Sequence, residues 1–171
     1  EGYCRMPVQP VVARAALHFW EEPCISGTKG SGTVFFSGCN LRCVFCQNRV
    51  ISQEHFGKQL SISQLRAVYQ RLIDQGAENI NLVTPTHFLD EISRSLSPKL
   101  SVPVVYNCGG YESADALKRL EGLVDVYLPD LKYLDAALAL RYSNAWDYPQ
   151  IAVKAIEEMY RHVGDYEMTQ E

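Results

Sequence analysis

Three short apolar runs follow one another at an almost constant spacing in this chain of 171 residues, and the repeat constrains the fold more than any other feature. The runs span residues 79–83, 102–106 and 124–128, so their starts lie 23 and 22 residues apart. Turn residues bound each run, and helical patterns lie between them, at 87–96 and 113–120. Repeated strand–helix units of this kind favour a parallel sheet with helices on its outer face, as in barrels of the TIM type.

A fourth predicted strand and two further predicted helices extend this pattern. The run 33–36 is short, apolar and β-prone, and it leads directly into a cysteine-rich segment. Ser61 and Gln64 can form a capping box at the start of a helix that ends near Gly76, and another apolar helix face spans 151–163. The predicted fold class is therefore α/β, with four parallel strands and about four helices in a partial (βα) barrel of the TIM type.

The barrel predicted in this way is incomplete. A complete TIM barrel has eight units and about 250 residues, so we expect a barrel that is truncated at its C-terminal end. Residues 1–29 show little regular pattern and are predicted to be an N-terminal extension, whereas residues 30–171 are predicted to form the barrel. Because the chain begins with Glu1 rather than Met, we also expect an N-terminal piece to be missing.

Composition argues against several classes of protein. With 16 Lys+Arg against 20 Asp+Glu, the net charge of −4 gives no general electrostatic reason to bind nucleic acid. The apolar runs are far shorter than the about 20 residues that span a bilayer, and no stretch has the order of a signal peptide. The chain is not a short, cysteine-dense disulfide scaffold, so we expect a reducing compartment, the cytoplasm, and no membrane partner.

Three of the six cysteines are crowded into eight residues. Cys39, Cys43 and Cys46 have the spacing C-x3-C-x2-C, and thiolates at such short spacings hold iron–sulfur clusters. Three protein ligands on a four-iron cube leave one iron open, just as a catalytic zinc keeps an open coordination position.

Other interpretations of these cysteines remain open at this point. A structural zinc site would need a fourth ligand, and the nearest later histidine is His55. The thiols can also be simply buried side chains. A fully ligated electron-transfer cluster would recruit one of the scattered cysteines, which are Cys4, Cys24 and Cys108.

The segment G-C-N-L-R-C-V-F-C-Q-N at residues 38–48 resembles the cluster loop of the radical S-adenosylmethionine (SAM) enzymes. Its flanking residues are most similar to the pyruvate formate-lyase activating enzymes, and residues 18–27 and 81–88 resemble a subgroup of activating-enzyme homologues. The resemblance implies two cofactors, a [4Fe–4S] cluster on the three cysteines and SAM on the open iron. It also implies reductive cleavage of SAM to a 5′-deoxyadenosyl radical that abstracts hydrogen from a substrate.

The resemblance has consequences for partners. It implies an external electron donor of the flavodoxin or ferredoxin type, and it raises the possibility that the substrate is a glycyl-radical enzyme or another protein. A radical SAM enzyme that acts on a small molecule and a non-catalytic iron–sulfur or zinc module are the alternatives, because cofactor motif and fold do not fix the substrate.

The resemblance also assigns residues to the SAM site. It places Phe45 against the adenine, although a core aromatic is the simpler interpretation. It places Asp130 near a cation beside the SAM carboxylate and Lys132 on the cofactor, although a solvated charge pair explains both. Asn107 and Cys108 stand where the activating enzymes have cation-site residues of other types.

The segment after the second predicted strand departs from the family pattern. Many radical SAM enzymes carry a G-G-E-type segment there, whereas this chain has T-P-T-H at residues 84–87. Thr84, Thr86 and His87 have the donors and acceptors that the SAM amino group needs, and His87 can instead cap the next helix or lie exposed. Gly109 and Gly110 offer backbone amides for close approach to a cofactor, or form a simple tight turn.

Overall fold

The computed structural model describes residues 3–165, which form one mixed sheet covered by helices. The strands are β1 (Val11–His18), β2 (Ser31–Phe36), β3 (Lys58–Gln59), β4 (Ile80–Val83), β5 (Val104–Cys108) and β6 (Val126–Pro129). Their order in the sheet is β3-β1-β2-β4-β5-β6. The helices are α1 (Pro23–Ser26), α2 (Arg49–Gln53), α3 (Ile62–Asp74), α4 (Leu89–Ser95), α5 (Ala114–Leu117), α6 (Ala136–Ser143) and α7 (Tyr148–Val163).

The four predicted strands are present and run parallel. β2 pairs with β4, β4 with β5 and β5 with β6, all in parallel register. The prediction of a partial (βα) barrel is therefore confirmed. Within the described residues β6 pairs with β5 alone, so one edge of the sheet stays open, as expected of a partial barrel.

Two strands begin two residues later than predicted, and hydrogen bonding explains both shifts. Pro103 has no amide to donate, so the strand predicted from residue 102 begins at Val104. The amide of Val124 donates to Leu120 in the preceding turn rather than to a neighbouring strand, so β6 begins at Val126.

The prediction of little regular structure in residues 1–29 is wrong. β1 is an eight-residue strand that pairs antiparallel with β2, with a register shift between Val12 and Arg14. It also pairs with the two-residue strand β3, which was not predicted. The division into an extension and a barrel core stays a prediction, but the sheet itself is continuous across the boundary at residue 30.

The helices agree with the predictions in part. α3 carries the predicted capping box, in which the Ser61 hydroxyl accepts from the Gln64 amide and the Gln64 side chain accepts from the Ser61 amide. The helix predicted at 87–96 begins as a 3-10 turn over Thr86–Phe88, and the one predicted at 113–120 ends as a 3-10 turn. The helix α6 was not predicted at all.

Two apolar clusters hold the layers together. The larger lies between the sheet and the helices and contains fully buried side chains such as Val34, Leu82 and Tyr106. The smaller lies under the cysteine-rich loop and is built from α6, α7 and that loop, with Leu41, Ala139 and Tyr148 at its centre. The second cluster fixes the loop to the body of the protein by burying apolar surface. No helix of the described residues is long and apolar enough to cross a membrane.

Candidate functional site

The cysteine-rich loop leaves the carboxyl end of β2, as the sequence predicted. Two backbone bonds fix its start, from the Ser37 amide to Val11 and from the Gly38 amide to Ile51. Gly38 has a φ of 84°, and a β-carbon there would lie 2.4 Å from Cγ of Met6, so only glycine fits. Ligand sites of parallel βα folds lie at this end of the strands.

Each of the three loop cysteines lies next to a hydrogen-bonding group. The Leu41 amide donates to Sγ of Cys39 over 3.4 Å, and the Ser143 hydroxyl donates to Sγ of Cys43 over 2.9 Å. Sγ of Cys46 lies 3.3 Å from the hydroxyl oxygen of Ser52. Hydrogen bonds to cysteine sulfurs are among the factors that set the properties of iron–sulfur sites.

The thiols are partly enclosed, which affects their ionisation. Burial raises the pKa of Cys39 to about 11, and the neighbouring thiols Cys43 and Cys46 add to this rise. A coordinating metal deprotonates a thiol outright, so cluster binding at Cys39 has to release a proton. The donor set, three free thiols with hydrogen-bond donors beside them, fits a [4Fe–4S] cluster.

Within residues 3–165, no three His, Cys, Asp or Glu side chains are arranged to hold a single metal ion. A four-iron cube does not need such a convergence, because each thiolate binds a different iron. Of the scattered cysteines, Cys24 is exposed on α1, before β2, Cys108 is buried in the larger apolar cluster, and Cys4 is half-buried against that cluster. Cys108 therefore packs as a small apolar side chain.

The last turn of α6 holds the loop on both sides of Cys43. The Arg42 amide donates to the carbonyl of Ser143 over 3.1 Å, and the Val44 amide donates to the carbonyl of Tyr142 over 2.9 Å. These carbonyls are available because the final carbonyls of a helix have no intrahelical partner. α6 thus supplies contacts to the central cysteine that the sequence pattern did not reveal.

Two side chains of the T-P-T-H segment have hydrogen-bond partners within the protein. The Thr86 hydroxyl donates to the buried carboxylate of Glu112, and Nε2 of His87 lies 2.7 Å from the carbonyl oxygen of Ser37. Burial lowers the pKa of His87 to about 4, so the ring is neutral and donates to that carbonyl. His87 therefore neither caps the next helix nor lies exposed.

Thr84 differs from its two neighbours. Its φ of 57° lies in the left-handed region, which is a strained conformation for a β-branched residue, and strain of this kind clusters at functional sites. Its amide donates to the carbonyl of Asn107 over 2.9 Å, which ties the ends of β4 and β5 together.

The sequence reasoning missed two buried polar residues. Glu112 is 2% exposed, its Oε2 has no hydrogen-bond partner, and burial raises its pKa to about 7. Asn81 is fully buried in β4, and neither its side-chain nitrogen nor its oxygen has a partner. The one signal for Asn81 in the sequence was its polar side chain within an otherwise apolar strand. The strand register places Asn81 on the same face of the sheet as Asn107.

Gly109 and Gly110 serve the packing of two loops. A β-carbon on Gly110, whose φ is 73°, would lie 2.6 Å from the carbonyl oxygen of Asp130. A β-carbon on Gly109 would lie 3.1 Å from Cδ1 of Leu41 and 3.7 Å from Cε of Lys132. The two glycines therefore let the loop after β6 and the cysteine loop come close to the end of β5.

Tyr148 organises the loop after β6. Its buried hydroxyl accepts from the Lys132 amide over 2.9 Å and lies 2.6 Å from the carbonyl oxygen of Asp130 and 2.8 Å from that of Gly109. Its ring stacks on Tyr111, with centroids 5.8 Å apart. No pattern in the sequence pointed to this role.

Asp130 and Lys132 form an ion pair with unequal exposure. The Lys132 side chain is 19% exposed and the Asp130 side chain 64%. Burial lowers the pKa of Lys132, but the hydrogen bond to Asp130 and its charge outweigh burial and raise the pKa overall. Cys43 and Cys39 lie close enough to add to this rise. Lys132 is therefore a cation held near the cysteine loop rather than a freely solvated surface lysine.

Phe45 is not a core aromatic. Its side chain is 54% exposed, and its only described aromatic contact within residues 3–165 is an edge-on one with Tyr133, with centroids 6.4 Å apart. An exposed ring beside the last cysteine is available to stack on a ligand.

Comparison with known proteins gives two results. Residues 33–168, most of the chain, match the model of the radical SAM superfamily. The uncharacterized protein MJ0674 of Methanocaldococcus jannaschii is 32% identical over 178 residues, an alignment that covers 95% of this chain and 51% of that protein. The chain thus spans about half the length of this curated relative.

Proposed function

The chain belongs to the radical SAM superfamily, and from this premise we propose that it forms the cluster-binding part of an enzyme that cleaves SAM reductively. Enzymes of the superfamily use a [4Fe–4S] cluster and SAM. The observation that supports the proposal most strongly is local. Three free thiols, each with a hydrogen-bonding neighbour, lie in one loop at the carboxyl end of a parallel sheet.

In this proposal Cys39, Cys43 and Cys46 would hold the cluster, and SAM would bind at the iron that they leave open. The chemistry that the cluster supplies when bound is one-electron cleavage of the sulfonium, which yields methionine and a 5′-deoxyadenosyl radical that removes a hydrogen atom from the substrate. The protein supplies binding, orientation and exclusion of side reactions.

The remaining side chains of the site bind and orient SAM. Lys132 is a partly enclosed cation near the cysteines, suited to a carboxylate or a ribose oxygen. Phe45 offers an exposed ring to the adenine. Asn107 and Thr84 stand at the carboxyl ends of adjacent strands, where the Thr84 amide donates to the Asn107 carbonyl. Asp130 keeps Lys132 in place through their ion pair.

We further propose that the substrate is a protein, in the manner of the pyruvate formate-lyase activating enzymes. The support is the motif at residues 38–48, whose flanking residues resemble that branch, together with the exposure of Val44 in the cysteine loop. Reduction then requires an external donor of the flavodoxin or ferredoxin type. A small-molecule radical SAM reaction is the alternative outcome of the test.

The ligand assignment is tested by iron content after anaerobic reconstitution. Wild type should carry four irons, and replacing Cys39, Cys43 or Cys46 by Ala should abolish the cluster, because a lost thiolate leaves an iron without its protein ligand. Cys24→Ala and Cys108→Ala are the matched controls and should retain iron. Equal iron loss in all five variants contradicts the assignment.

The reaction is tested on the same samples. After reduction with dithionite in the presence of SAM, wild type should release 5′-deoxyadenosine and the three cysteine variants should not. A full cluster without 5′-deoxyadenosine indicates a non-catalytic iron–sulfur module. A glycyl-radical signal in electron paramagnetic resonance (EPR) spectra, after addition of a candidate protein partner, separates the activating reaction from small-molecule chemistry.

A further inference from the structure

Two hydroxyl groups in series, those of Tyr133 and Ser143, lead to the central cysteine of the loop. The Ser143 hydroxyl donates to Sγ of Cys43 over 2.9 Å, and the Tyr133 hydroxyl lies 2.8 Å from Oγ of Ser143. We propose that Ser143, oriented by Tyr133, tunes the reduction of the cluster through this hydrogen bond to Cys43. The inference rests on the proposed function, because it requires Cys43 to be a cluster ligand.

The direction of the two hydrogen bonds follows from proton counting. A cysteine that ligates iron is a thiolate and has no proton to donate, so Ser143 must donate to Cys43. The single hydroxyl proton of Ser143 is then used, and its oxygen accepts from Tyr133. Ser143 is fully buried, so water does not compete for either bond.

The position of Ser143 is fixed by the backbone around it. Its carbonyl accepts from the amide of Arg42, and the preceding carbonyl accepts from the amide of Val44, so the residues on both sides of Cys43 are bound to the same helical turn. Asn144 ends the helix in the left-handed conformation, with a φ of 55°, and its amide donates to Leu140.

Tyr133 is held by aromatic contacts. Its ring packs edge-on against Tyr148, with centroids 5.5 Å apart, and also contacts Phe45. The contact with Tyr133 matters because a serine in a helix can otherwise turn its hydroxyl back to a carbonyl of the preceding turn. Tyr133 offers Ser143 a donor on the opposite side and so favours the orientation toward Cys43.

Among the three thiols, Cys43 has the shortest contact of this kind. The bond from the Leu41 amide to Cys39 is 3.4 Å long. Ser52 lies 3.3 Å from Cys46, but its hydroxyl also reaches the carbonyl of Arg49, so its proton is shared between two acceptors. Removal of the Ser143 hydrogen bond should therefore change the midpoint potential of a bound cluster more than removal of either of the other two contacts.

The expected effect follows from charge. On reduction the cluster takes one electron from an external low-potential donor, which is oxidised by one electron, and no proton needs to move. The added negative charge spreads onto the thiolate sulfurs, so a hydroxyl donor stabilises the reduced state more than the oxidised state. Hydrogen bonding to the sulfurs is one of the factors that set cluster potentials. Ser143 thus makes the cluster easier to reduce.

The test is an EPR-monitored redox titration of reconstituted wild type, Ser143→Ala and Tyr133→Phe. At a fixed solution potential, Ser143→Ala should lower the ratio of reduced to oxidised cluster about tenfold, a midpoint lowered by about 59 mV for a one-electron couple. Tyr133→Phe keeps the donor but removes its partner, so a shift in the same direction of about two- to fivefold is expected.

Ser95→Ala is the matched control. Ser95 forms the same kind of buried pair with a tyrosine, its Oγ lying 3.2 Å from the hydroxyl of Tyr69, but it lies in the helix layer. Ser95→Ala should retain the wild-type midpoint. An equal shift in Ser95→Ala and Ser143→Ala overturns the inference, because a general loosening of the protein then explains both.

Iron content separates this inference from the proposal on which it rests. Full iron and a wild-type midpoint in Ser143→Ala overturn the tuning role and leave the ligand assignment intact. Full iron in Cys43→Ala overturns the ligand assignment itself. If Ser143→Ala fails to bind iron, Tyr133→Phe decides, because it leaves the Ser143 hydroxyl in place; an unchanged midpoint in that variant overturns the inference.

Discussion

The hydroxyl of Tyr148 is a single atom on which the geometry of the loop after β6 depends. It contacts the amide of Lys132 and the carbonyl oxygens of Asp130 and Gly109. Tyr148→Phe removes this oxygen and keeps the ring, together with its stacking on Tyr111. The substitution therefore isolates the hydrogen bonds from the packing.

The loss can be worked out from these contacts. The hydroxyl accepts one bond and has one proton to donate, so about two hydrogen bonds disappear while their backbone partners stay in place. A buried group left without its partner costs about 1–3 kcal/mol, and the backbone groups here are partly buried, so we expect the free energy of unfolding to fall by about 2–3 kcal/mol. The loop that holds Lys132 also loses its anchor, so SAM should bind more weakly.

Tyr106→Phe is the matched control. Tyr106 is also fully buried, but its hydroxyl has no hydrogen-bond partner. Removing a buried polar atom that has no partner should leave stability unchanged or increase it. The two variants therefore make the same chemical change, at two buried sites, with opposite expectations.

The assay is denaturant unfolding of both variants, followed by circular dichroism, with equal slopes required before midpoints are compared. Equilibrium binding of SAM to samples of equal iron content gives the second measurement. If the two variants differ in unfolding free energy by less than about 0.5 kcal/mol, the typical effect of an inconsequential surface substitution, the reasoning about Tyr148 is refuted.

Three further predictions concern other parts of the molecule. Burial raises the pKa of Glu112 from 4.5 to about 7, so the stability that its protonated form contributes is present below about pH 4.5 and is lost as the pH rises to and through 7. Between these limits the unfolding free energy of Glu112→Gln should rise by about 3 kcal/mol relative to that of wild type, and a pH-independent difference would contradict this. Ser61→Ala removes the capping box of α3 and should cost about 1 kcal/mol in denaturant unfolding, with an unchanged midpoint as the contrary result. Lys132→Ala should weaken SAM binding roughly ten- to a hundred-fold in equilibrium titrations, because a charge-assisted hydrogen bond is lost. The control Lys99→Ala breaks the ion pair with Asp125, before the start of β6, and should leave the affinity for SAM unchanged.

The parallel strands could be predicted because their apolar residues are buried by the strands' own helices. Val34, Leu82 and Tyr106 face the helix layer, and this burial requires the apolar runs that were visible in the sequence. β1 escaped prediction for the opposite reason. It combines Arg14 with alanines and is mostly half-buried, so its place in the sheet depends on pairing with β2 rather than on a pattern of its own.

The candidate site likewise contains residues that could be predicted from the sequence and residues that could not. The cysteines could be predicted because their spacing is local and lies within one loop. Ser143, whose hydroxyl contacts Cys43, lies 100 residues from it in the sequence. It belongs to the eight-residue helix α6, which no apolar periodicity in the sequence predicted. Glu112 and His87 were equally invisible as buried groups, because only tertiary packing decides whether a polar side chain is enclosed.

The segment 130–148 connects the cysteine loop with the loop after β6 that carries Asp130 and Lys132. It begins with the Asp130–Lys132 ion pair, continues through α6, which binds the backbone on both sides of Cys43, and ends at Tyr148, whose hydroxyl returns to that ion-paired loop. Because Leu41 of the cysteine loop, α6 and Tyr148 pack in the same small apolar cluster, a change in the cysteine loop and a change in the loop after β6 should not be energetically independent. If the proposed assignments hold, cluster binding and SAM binding share one packing unit, in which the hydroxyl of Ser143 contacts Cys43 and the hydroxyl of Tyr148 holds the loop that carries Lys132.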